Sequence, residues 1–534
     1  MTMNLPDSTR NAALIVYHRI EHDFDSVFGA AGNPWRHLGA LGFLFFWIVA
    51  LTGLYLYAVL DTSVDGAYRS INWLSREQWY LGGVLRSLHR YAADAFLLVT
   101  LLHLAREFLL GRYSGFRHFS WLTGIPLLWF IYISGVVGIW LRWDELAQFS
   151  AAAAAEWLDR LPVFAVPLIR NYLSAYAVSD RLFSLFVFVH IGVPLLLIFG
   201  LWFHIQRISH AEVFPPRALA AGSLLALLTL SLALPVASQA AADLSLVPGP
   251  LALDWFYLFW QPLVYATSAG AVWTLVTGAT LLLFLLPALP HGAASPVPEV
   301  HPDNCNGCRR CFEDCPYAAI VMLPHPGGIP GRQLAQVVPD LCASCGICAG
   351  ACPSSTPFRS AVELVSGIDM PQMPIGELRR TLELGLAQLE GKNGIVVFGC
   401  DQGANVANLP GTDLASFSLI CTGMLPPSFV EYALRGGAAG VLVTGCRAGG
   451  CAFRLGNRWT GERLAGMREP HLRAGPPGKA LRVAWVDCGE EAELAVALDE
   501  LRQALAAERL HNEHSIADPS ADPLVPSTRM SAHG

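Results

Sequence analysis

Two apolar segments of the chain each carry two histidines fourteen residues apart, His89 with His103 and His190 with His204. At 1.5 Å per residue this spacing covers about 21 Å and nearly four helical turns, so both imidazoles of a pair face the same way. Imidazole is a common axial ligand of haem iron. Two such helices side by side therefore predict two haems stacked across a bilayer.

Glycines recur at the same fourteen-residue spacing in two other apolar segments, as Gly39 with Gly53 and Gly124 with Gly138. A glycine inside a helix costs about 1 kcal/mol relative to alanine, so this placement indicates close approach by something flat and bulky. A lone histidine in an apolar helix is more often a core or helix-bridging residue. Matched histidine pairs with matched glycines favour haem binding instead.

Two arginines flank the first histidine pair. Arg86 precedes His89 by three residues, and Arg106 follows His103 by three. Each lies one helical turn from a histidine, where it could pair with a haem propionate. No Cys-x-x-Cys-His sequence occurs, so a c-type haem attached through that motif is not expected.

Residues 35–210, with their arginine-flanked histidines and the sequence Thr52-Gly53-Leu54, resemble the four-helix, haem-bearing half of the cytochrome b subunit of quinol-oxidising bc complexes. The resemblance implies a homodimer and two b haems. It also implies the ligand pairs His89 with His190 and His103 with His204.

The composition is that of a chain that is partly embedded in a membrane. Apolar residues make up 53% of the sequence and charged residues only 14%, against about 25% charged residues in ordinary soluble domains. Six apolar runs are long enough to span a bilayer, and the segment before residue 35 predicts an amphipathic surface helix at 11–28. The six runs are 38–60, 89–110, 121–141, 183–206, 217–236 and 263–287.

The charges of the loops predict the orientation of these spans. The second-to-third and fourth-to-fifth connections contain several arginines, whereas the fifth-to-sixth connection contains Asp243 and Asp254 but no Lys or Arg. Positively charged loops remain in the cytoplasm, so both termini are predicted to lie on the cytoplasmic side of the inner membrane. With a net charge of -7 and no basic run, nothing indicates nucleic-acid binding.

All thirteen cysteines lie after residue 292, and the first eight form two copies of Cys-x-x-Cys-x-x-Cys-x-x-x-Cys-Pro. This spacing is typical of a ferredoxin with two [4Fe-4S] clusters, in which each run supplies its fourth cysteine to the other cluster. Structural zinc or disulfides are the alternatives, and a cytoplasmic location disfavours disulfides. The predicted ligands are Cys305, Cys308, Cys311 and Cys352 for cluster one, and Cys342, Cys345, Cys348 and Cys315 for cluster two.

After a linker and a helix at 376–390, short apolar segments at 394–398, 417–420, 440–444 and 481–486 alternate with helical ones at 427–435 and 490–507. This alternation predicts a small parallel α/β domain. Cysteines follow the carboxyl ends of the strands, where open α/β sheets hold their binding crevice. From spacing alone, buried free thiols remain the alternative. The cysteines are Cys400, Cys421, Cys446, Cys451 and Cys488.

Residues 393–508 resemble the delta subunit of methyl-viologen-reducing hydrogenases through the sequences around Cys400, Ile420-Cys421-Thr-Gly and Thr444-Gly-Cys446-x-x-x-x-Cys451. The resemblance implies a [2Fe-2S] cluster and a partner flavoprotein of the heterodisulfide-reductase type. Its ligands would be Cys400, Cys421, Cys446 and Cys451, with Cys488 spare. Family members often carry another cysteine just after the first, where this chain has Asp401-Gln402-Gly403.

Leu253-Asp254-Trp255-Phe256-Tyr257 resembles the Pro-Glu-Trp-Tyr signature of the quinol-oxidation site in bc complexes, without its proline and with aspartate for glutamate. The resemblance implies that Asp254 accepts a quinol proton and that Trp255 lines the pocket. An aromatic interfacial belt is the alternative. His210, six residues after His204, lies near where the family's second quinone site contributes a histidine; a solvated loop residue is the alternative.

The sequence therefore predicts a multidomain chain: an amphipathic segment at 1–34, an all-α transmembrane di-haem bundle of about six spans at 35–291, a ferredoxin-like domain at 292–360, a linker and helix at 361–392, an α/β [2Fe-2S] domain at 393–510 and a disordered tail at 511–534. We expect a membrane subunit that exchanges electrons between quinone and a soluble cytoplasmic oxidoreductase. If quinol were oxidised on the outer side, a high-potential acceptor outside the membrane could take one electron of each quinol. The alternative is an anchor and electron relay without a working quinone site.

Overall fold

The computed structural model describes residues 7–517, except 162–166, 168–170, 172, 175–176, 247–248, 290–295, 329–330, 361–362, 448 and 474–477. The chain divides into two compact units, Met1–Ala294 and Ser295–Gly534. The predicted domain boundary at 291/292 and most of the predicted tail lie outside the described residues.

The first unit is helical. Helix α2 packs against α4, and α5 packs against α7, through apolar faces that include Phe45, Phe96, Ile131 and Leu197. Its helices are α1 Asp7–Phe28, α2 Leu38–Val59, α3 Gly66–Arg76, α4 Val84–Leu109, α5 His118–Trp140, α6 Glu145–Leu158, α7 Asp180–Ile205, α8 Arg217–Ala233, α9 Trp255–Leu258, α10 Trp260–Ala266 and α11 Ala269–Leu285.

Among the described residues, four helical segments are long and apolar enough to cross a membrane: Pro34–Val59, Gly115–Trp140, Asp180–Ile205 and Ala269–Ala288. They coincide with four of the six predicted spans. Of the other two, α4 has 26 residues but carries five charged side chains, among them Arg90 and Asp94, and α8 has only 17 residues. The two helices pack against each other, and α4 also packs against α2 and α5.

The second unit begins with a small domain of two antiparallel strand pairs and two short helices. Strand β1 (Glu299–Val300) pairs with β4 (Ile368–Asp369), and β2 (Ile320–Pro324) pairs with β3 (Gln333–Val337). Helices α12 (Arg310–Glu313) and α13 (Ile347–Ala351) each begin two residues after the second cysteine of their run, contain the third, and contact each other. This arrangement is the predicted ferredoxin-like domain.

The remaining part is a four-stranded parallel sheet in the order β6-β5-β7-β8. One face is covered by α14 and α15, and the other by α17, whose Leu494, Leu498, Leu501 and Leu505 recur at helical spacing and are buried. The strands are β5 Ile395–Cys400, β6 Leu414–Leu419, β7 Gly440–Gly445 and β8 Leu481–Trp485; the helices are α14 Ile375–Leu389, α15 Ser428–Arg435, α16 Gly456–Leu464 and α17 Glu491–Ala517.

Helix α17 corrects the predicted start of the disordered tail. The helix continues to Ala517, seven residues beyond the predicted boundary at 510. Residues 506–513 include Ala, Glu, Arg and Leu, which favour helix, and no glycine or proline stops it before Ala517. The predicted tail from 518 onward lies outside the described residues.

Candidate functional site

The four histidines lie on two helices, His89 and His103 on α4 and His190 and His204 on α7. The ring centroids of His89 and His190 are 6.2 Å apart, with an angle of 61° between the ring planes. A bond from a metal to an imidazole nitrogen is about 2 Å long, so two rings that share one iron have centroids roughly 6 Å apart once both ring radii are added. The spacing of this pair therefore fits a single iron between the rings.

The Nδ1 atoms of three histidines are held by oxygens of the neighbouring glycine-bearing helices. A ligand histidine usually uses one ring nitrogen for the metal and donates the other N–H to such an oxygen, which fixes the tautomer. Nε2 is then the atom available to iron. The contacts are His89 Nδ1 with the carbonyl oxygen of Val49 at 3.0 Å, His190 Nδ1 with that of Ser134 at 2.9 Å, and His204 Nδ1 with Thr123 Oγ1 at 3.0 Å.

Each of the four predicted glycines lies against one of the four histidines. An added Cβ would lie 3.5 Å from the nearest ring atom of His103 at Gly39, 3.0 Å from His89 at Gly53, 3.3 Å from His204 at Gly124 and 2.8 Å from His190 at Gly138. In the structure, the ring of a histidine is thus the nearest neighbour of each of these glycines. The glycines allow the helix backbone to approach the rings and to hold them in place.

We expect Gly138→Ala to displace His190, because the new methyl group would lie within 3.0 Å of Cε1. One b-haem signal should shift or disappear while the other persists. Gly192→Ala is the matched control on α7, where a Cβ meets no atom within 4 Å. Reduced-minus-oxidised haem spectra of the two variants make the comparison. Unchanged spectra in Gly138→Ala would show that this close approach is not needed for haem binding.

Both arginines predicted to meet propionates are buried on α4. Arg86 donates to the hydroxyls of Ser75 at 2.6 Å and Ser238 at 2.7 Å. Arg106 donates to the hydroxyl of Tyr17 at 2.7 Å and pairs with Glu107 at 3.2 Å. The serine partners of Arg86 are neutral, so they do not compensate its charge as a propionate would.

The four cysteines predicted for cluster one line a single cavity in the ferredoxin-like domain. Cys305, Cys308, Cys311 and Cys352 surround it together with apolar side chains that include Ile368. Burial, and then the nearby sulfurs of Cys352, Cys308 and Cys305, raise the pKa of the Cys311 thiol to about 12. Four sulfurs converging in an apolar cavity fit a [4Fe-4S] cluster, whose iron keeps coordinating thiols deprotonated.

The cysteines predicted for cluster two are also neighbours. Burial raises the pKa of Cys345, and the sulfurs of Cys315 and Cys342 raise it further; the same groups act on Cys348. Backbone N–H groups donate to two of these sulfurs, from Ala319 to Cys315 at 3.2 Å and from Ser344 to Cys342 at 3.3 Å. Such donors stabilise thiolate ligands.

Four cysteines of the α/β domain, hereafter the cysteine tetrad, converge at the carboxyl edge of the parallel sheet. They are Cys400, Cys421, Cys446 and Cys451, and all are buried. The sulfurs of Cys400 and Cys446 are 4.0 Å apart, and the neighbouring thiols of Cys400 and Cys451, together with burial, raise the pKa of Cys421. Cys488 is exposed, and its charged neighbours are Asp487 and Glu491. The tetrad can hold a [2Fe-2S] cluster, and Cys488 lies apart from it.

A direct contact between the residues around the predicted cluster-two ligands and the tetrad is a feature that sequence reasoning missed. Ile347, the first residue of α13, belongs to the same buried apolar group as Cys345 and Cys421. Helix α13 lies so close to the 422–424 turn that a Cβ at Gly350 would be 2.2 Å from the carbonyl oxygen of Gly423. The only sequence signal was the pair of glycines, which no spacing rule connects.

The predicted quinone-site residues lie in different surroundings. Asp254 caps α9, accepting hydrogen bonds from the N–H groups of Phe256 and Tyr257 at 3.1 Å each, and forms an ion pair with Arg90. Trp255 is 68% exposed, as expected of a side chain in contact with lipid or quinone. His210 is exposed in the loop after α7, with a φ of 51°.

Three family models match successive parts of the chain: "Cytochrome b/b6/petB" at residues 28–211, "4Fe-4S dicluster domain" at 298–356 and "Methyl-viologen-reducing hydrogenase, delta subunit" at 395–507. A solved structure titled "Hyperthermophilic respiratory Complex III" matches with 18% identity and a TM-score of 0.41, over 48% of this chain and 75% of that chain. The protein is an integral membrane protein whose successive parts are similar to cytochrome b, to a 4Fe-4S dicluster domain and to the delta subunit of methyl-viologen-reducing hydrogenase.

Proposed function

We propose that this chain links the quinone pool to a soluble cytoplasmic oxidoreductase through two b haems, two [4Fe-4S] clusters and one [2Fe-2S] cluster. The haems would be bound by His89 with His190 and by His103 with His204. The partner would be a dehydrogenase, a hydrogenase or a heterodisulfide-reductase-like flavoprotein, because the chain has no nucleotide-binding glycine motif of its own. Both termini and the iron–sulfur domains would face the cytoplasm at the inner membrane.

The observation that supports this proposal most strongly is the contact between the loop of cluster two and the cysteine tetrad. Electron tunnelling weakens steeply with distance, so centres that exchange electrons must lie close together. Ile347 and Cys421 belong to one buried apolar group, and both side chains are buried. A cytoplasmic partner that docks near the tetrad would thus be connected to the ferredoxin clusters within one compact unit.

Electrons would flow from the cytoplasm to quinone. When the membrane potential is negative inside, moving an electron outward across the whole membrane is favourable by about 2.3 kcal/mol per 100 mV. Ferredoxin-type clusters also tend to have low reduction potentials within the range of such centres. The reverse direction would need an external high-potential acceptor that takes one electron of each quinol and so helps to drive the other inward.

The second candidate function is an anchor and relay without a quinone site, and the ion pair of Asp254 favours it. The carboxylate accepts two backbone hydrogen bonds and pairs with Arg90, so its oxygens already have partners within the protein. Arg90 also pairs with Asp94, which leaves the three side chains in one charged network.

Asp254→Asn separates the two functions, since asparagine caps a helix as well as aspartate does and only the charge is lost. If Asp254 accepts the quinol proton, quinol-dependent haem reduction in liposomes should fall about a hundredfold at unchanged haem content. Asp243→Asn, at an exposed aspartate of the same connection, is the control. A wild-type protein whose haems do not react with quinol or quinone would exclude the proposed quinone site and leave the relay function.

The hydrogenase delta-subunit-like domain supports a place in a multisubunit complex with redox partners. The homodimer implied by the cytochrome b resemblance belongs to the same proposal. Purification of the complex from its native membrane, followed by identification of the subunits that remain bound, tests both points.

A further inference from the structure

Arg463 is an arginine whose side chain is completely buried in the second unit, on α16. Its guanidinium donates to the carbonyl oxygen of Gly423 at 2.9 Å and forms an ion pair with Asp314, 149 residues earlier in the sequence. It thereby joins the ferredoxin-like domain to the α/β domain. A buried arginine is rare unless it is paired, so this contact serves a specific purpose.

Both partners of Arg463 are adjacent to predicted cluster ligands. Asp314 directly precedes Cys315 of cluster two. The N–H of Gly423 donates to the sulfur of Cys421 in the tetrad at 3.4 Å. Arg463 therefore lies between the two centres, and the charge on Cys421 acts on it.

The charges around Arg463 are unequal. Asp314 is shared with Arg468, which contacts it at 2.5 Å, so two guanidinium groups face one buried carboxylate. Arg468 also pairs with Glu462 at 2.8 Å, on the more exposed side of the group. The charge of Arg463 is consequently only partly compensated by its direct partner.

One donor of Arg463 also lacks an acceptor. Within the described residues, its Nε is buried and has no hydrogen-bond partner. Buried donors in native proteins are nearly always satisfied, and an exception indicates a missing group. An iron–sulfur cluster held by four thiolates is an anion with sulfur acceptors, and it would supply both the acceptor and the charge.

We infer that Arg463 sets the reduction potential of the cluster at the cysteine tetrad, with its Nε–H donating to a cluster sulfur and its charge favouring the reduced form. The inference rests on the proposed cluster at this site. When the tetrad cluster takes up one electron from the cytoplasmic partner, the guanidinium would stabilise the added negative charge. Charge and hydrogen bonds to sulfur are among the factors that set such potentials.

The test is a potentiometric titration of the two-iron signal by electron paramagnetic resonance in the full-length wild-type protein, Asp314→Asn, and Arg463→Gln combined with Asp314→Asn. Asp314→Asn removes a negative charge and should raise the potential. Adding Arg463→Gln removes a positive charge without leaving a buried carboxylate unpaired. It should lower the reduction equilibrium constant about tenfold relative to Asp314→Asn, or about 59 mV for one electron.

Two further variants test whether the charge of Arg463 in particular determines the reduction potential. Arg468→Gln removes the more exposed partner of Asp314 and should change the equilibrium constant much less. Arg463→Lys keeps the charge and should recover part of the shift. A purely structural role would instead cause cluster loss, or shifts of the same sign in both charge variants.

The outcomes separate the inference from the proposed function. A wild-type protein without a two-iron signal overturns both. The inference alone is overturned if the wild-type signal is normal but adding Arg463→Gln to Asp314→Asn leaves the reduction potential unchanged. The same holds if adding Arg463→Gln raises the potential, as Asp314→Asn does.

Discussion

His190→Ala is expected to remove one of the two b haems and to leave the other spectrally intact. His190 lies 6.2 Å from His89 between ring centroids, and its Nδ1 contacts the carbonyl oxygen of Ser134, so its ring is held in the position that a ligand of the shared iron requires. The haem content, measured as the pyridine haemochrome per protein, should fall by half. His118→Ala, at an exposed histidine that begins α5, is the control and should retain both haems.

The pairing itself predicts a pattern among double variants. His89→Ala with His190→Ala should lose no more haem than either single variant, because both ligands serve the same iron. His89→Ala with His103→Ala should lose both haems. If the two doubles lose the same amount of haem, or if the wild-type protein contains a single haem, the pairing is wrong.

Cys446→Ser is expected to abolish the two-iron signal and to leave the ferredoxin clusters unchanged. Cys446 is buried with its sulfur 4.0 Å from that of Cys400, and serine oxygen is a poor substitute for thiolate at iron. Non-haem iron should fall from about ten to about eight per chain, since the wild type would carry four, four and two. Iron analysis with electron paramagnetic resonance measures both quantities.

Cys488→Ser is the matched control for Cys446→Ser. Cys488 follows a strand of the same sheet but is exposed, so its loss should leave iron content and spectra unchanged. A two-iron signal that survives Cys446→Ser but disappears in Cys488→Ser would show that the ligand set is different.

In the membrane unit, sequence periodicity predicted which residues share a helix face but not which atoms meet. The fourteen-residue spacing placed His89 and His103 on one helix and Gly39 and Gly53 on another. The contact of Gly53 with the ring of His89 depends on the packing of α2 against α4, which spacing does not determine. The hydroxyl partners of Arg86 come from positions 75 and 238, far apart in sequence and without a motif.

In the second unit, cysteine spacing predicted the two ferredoxin ligand sets, because short Cys-x-x-Cys loops have few possible geometries. The α/β alternation placed Cys400, Cys421 and Cys446 at one sheet edge. Arg463 could not be predicted, since its partner Asp314 lies in another domain and one charged residue among many gives no periodic signal. The close approach of Gly350 to Gly423 could not be predicted either, because these residues also lie in different domains.

The central claim is that one chain conducts electrons between its cytoplasmic clusters and quinone. The most direct test uses fully reduced protein in anaerobic liposomes, freed of reductant and mixed with a short-chain ubiquinone or a menaquinone analogue. Haem absorbance and cluster signals are followed in time. We predict that quinone oxidises both haems and clusters in the wild type, and that the clusters stay reduced in His89→Ala with His103→Ala. Clusters that remain reduced in the wild type, or that are oxidised equally fast without haems, would contradict the claim.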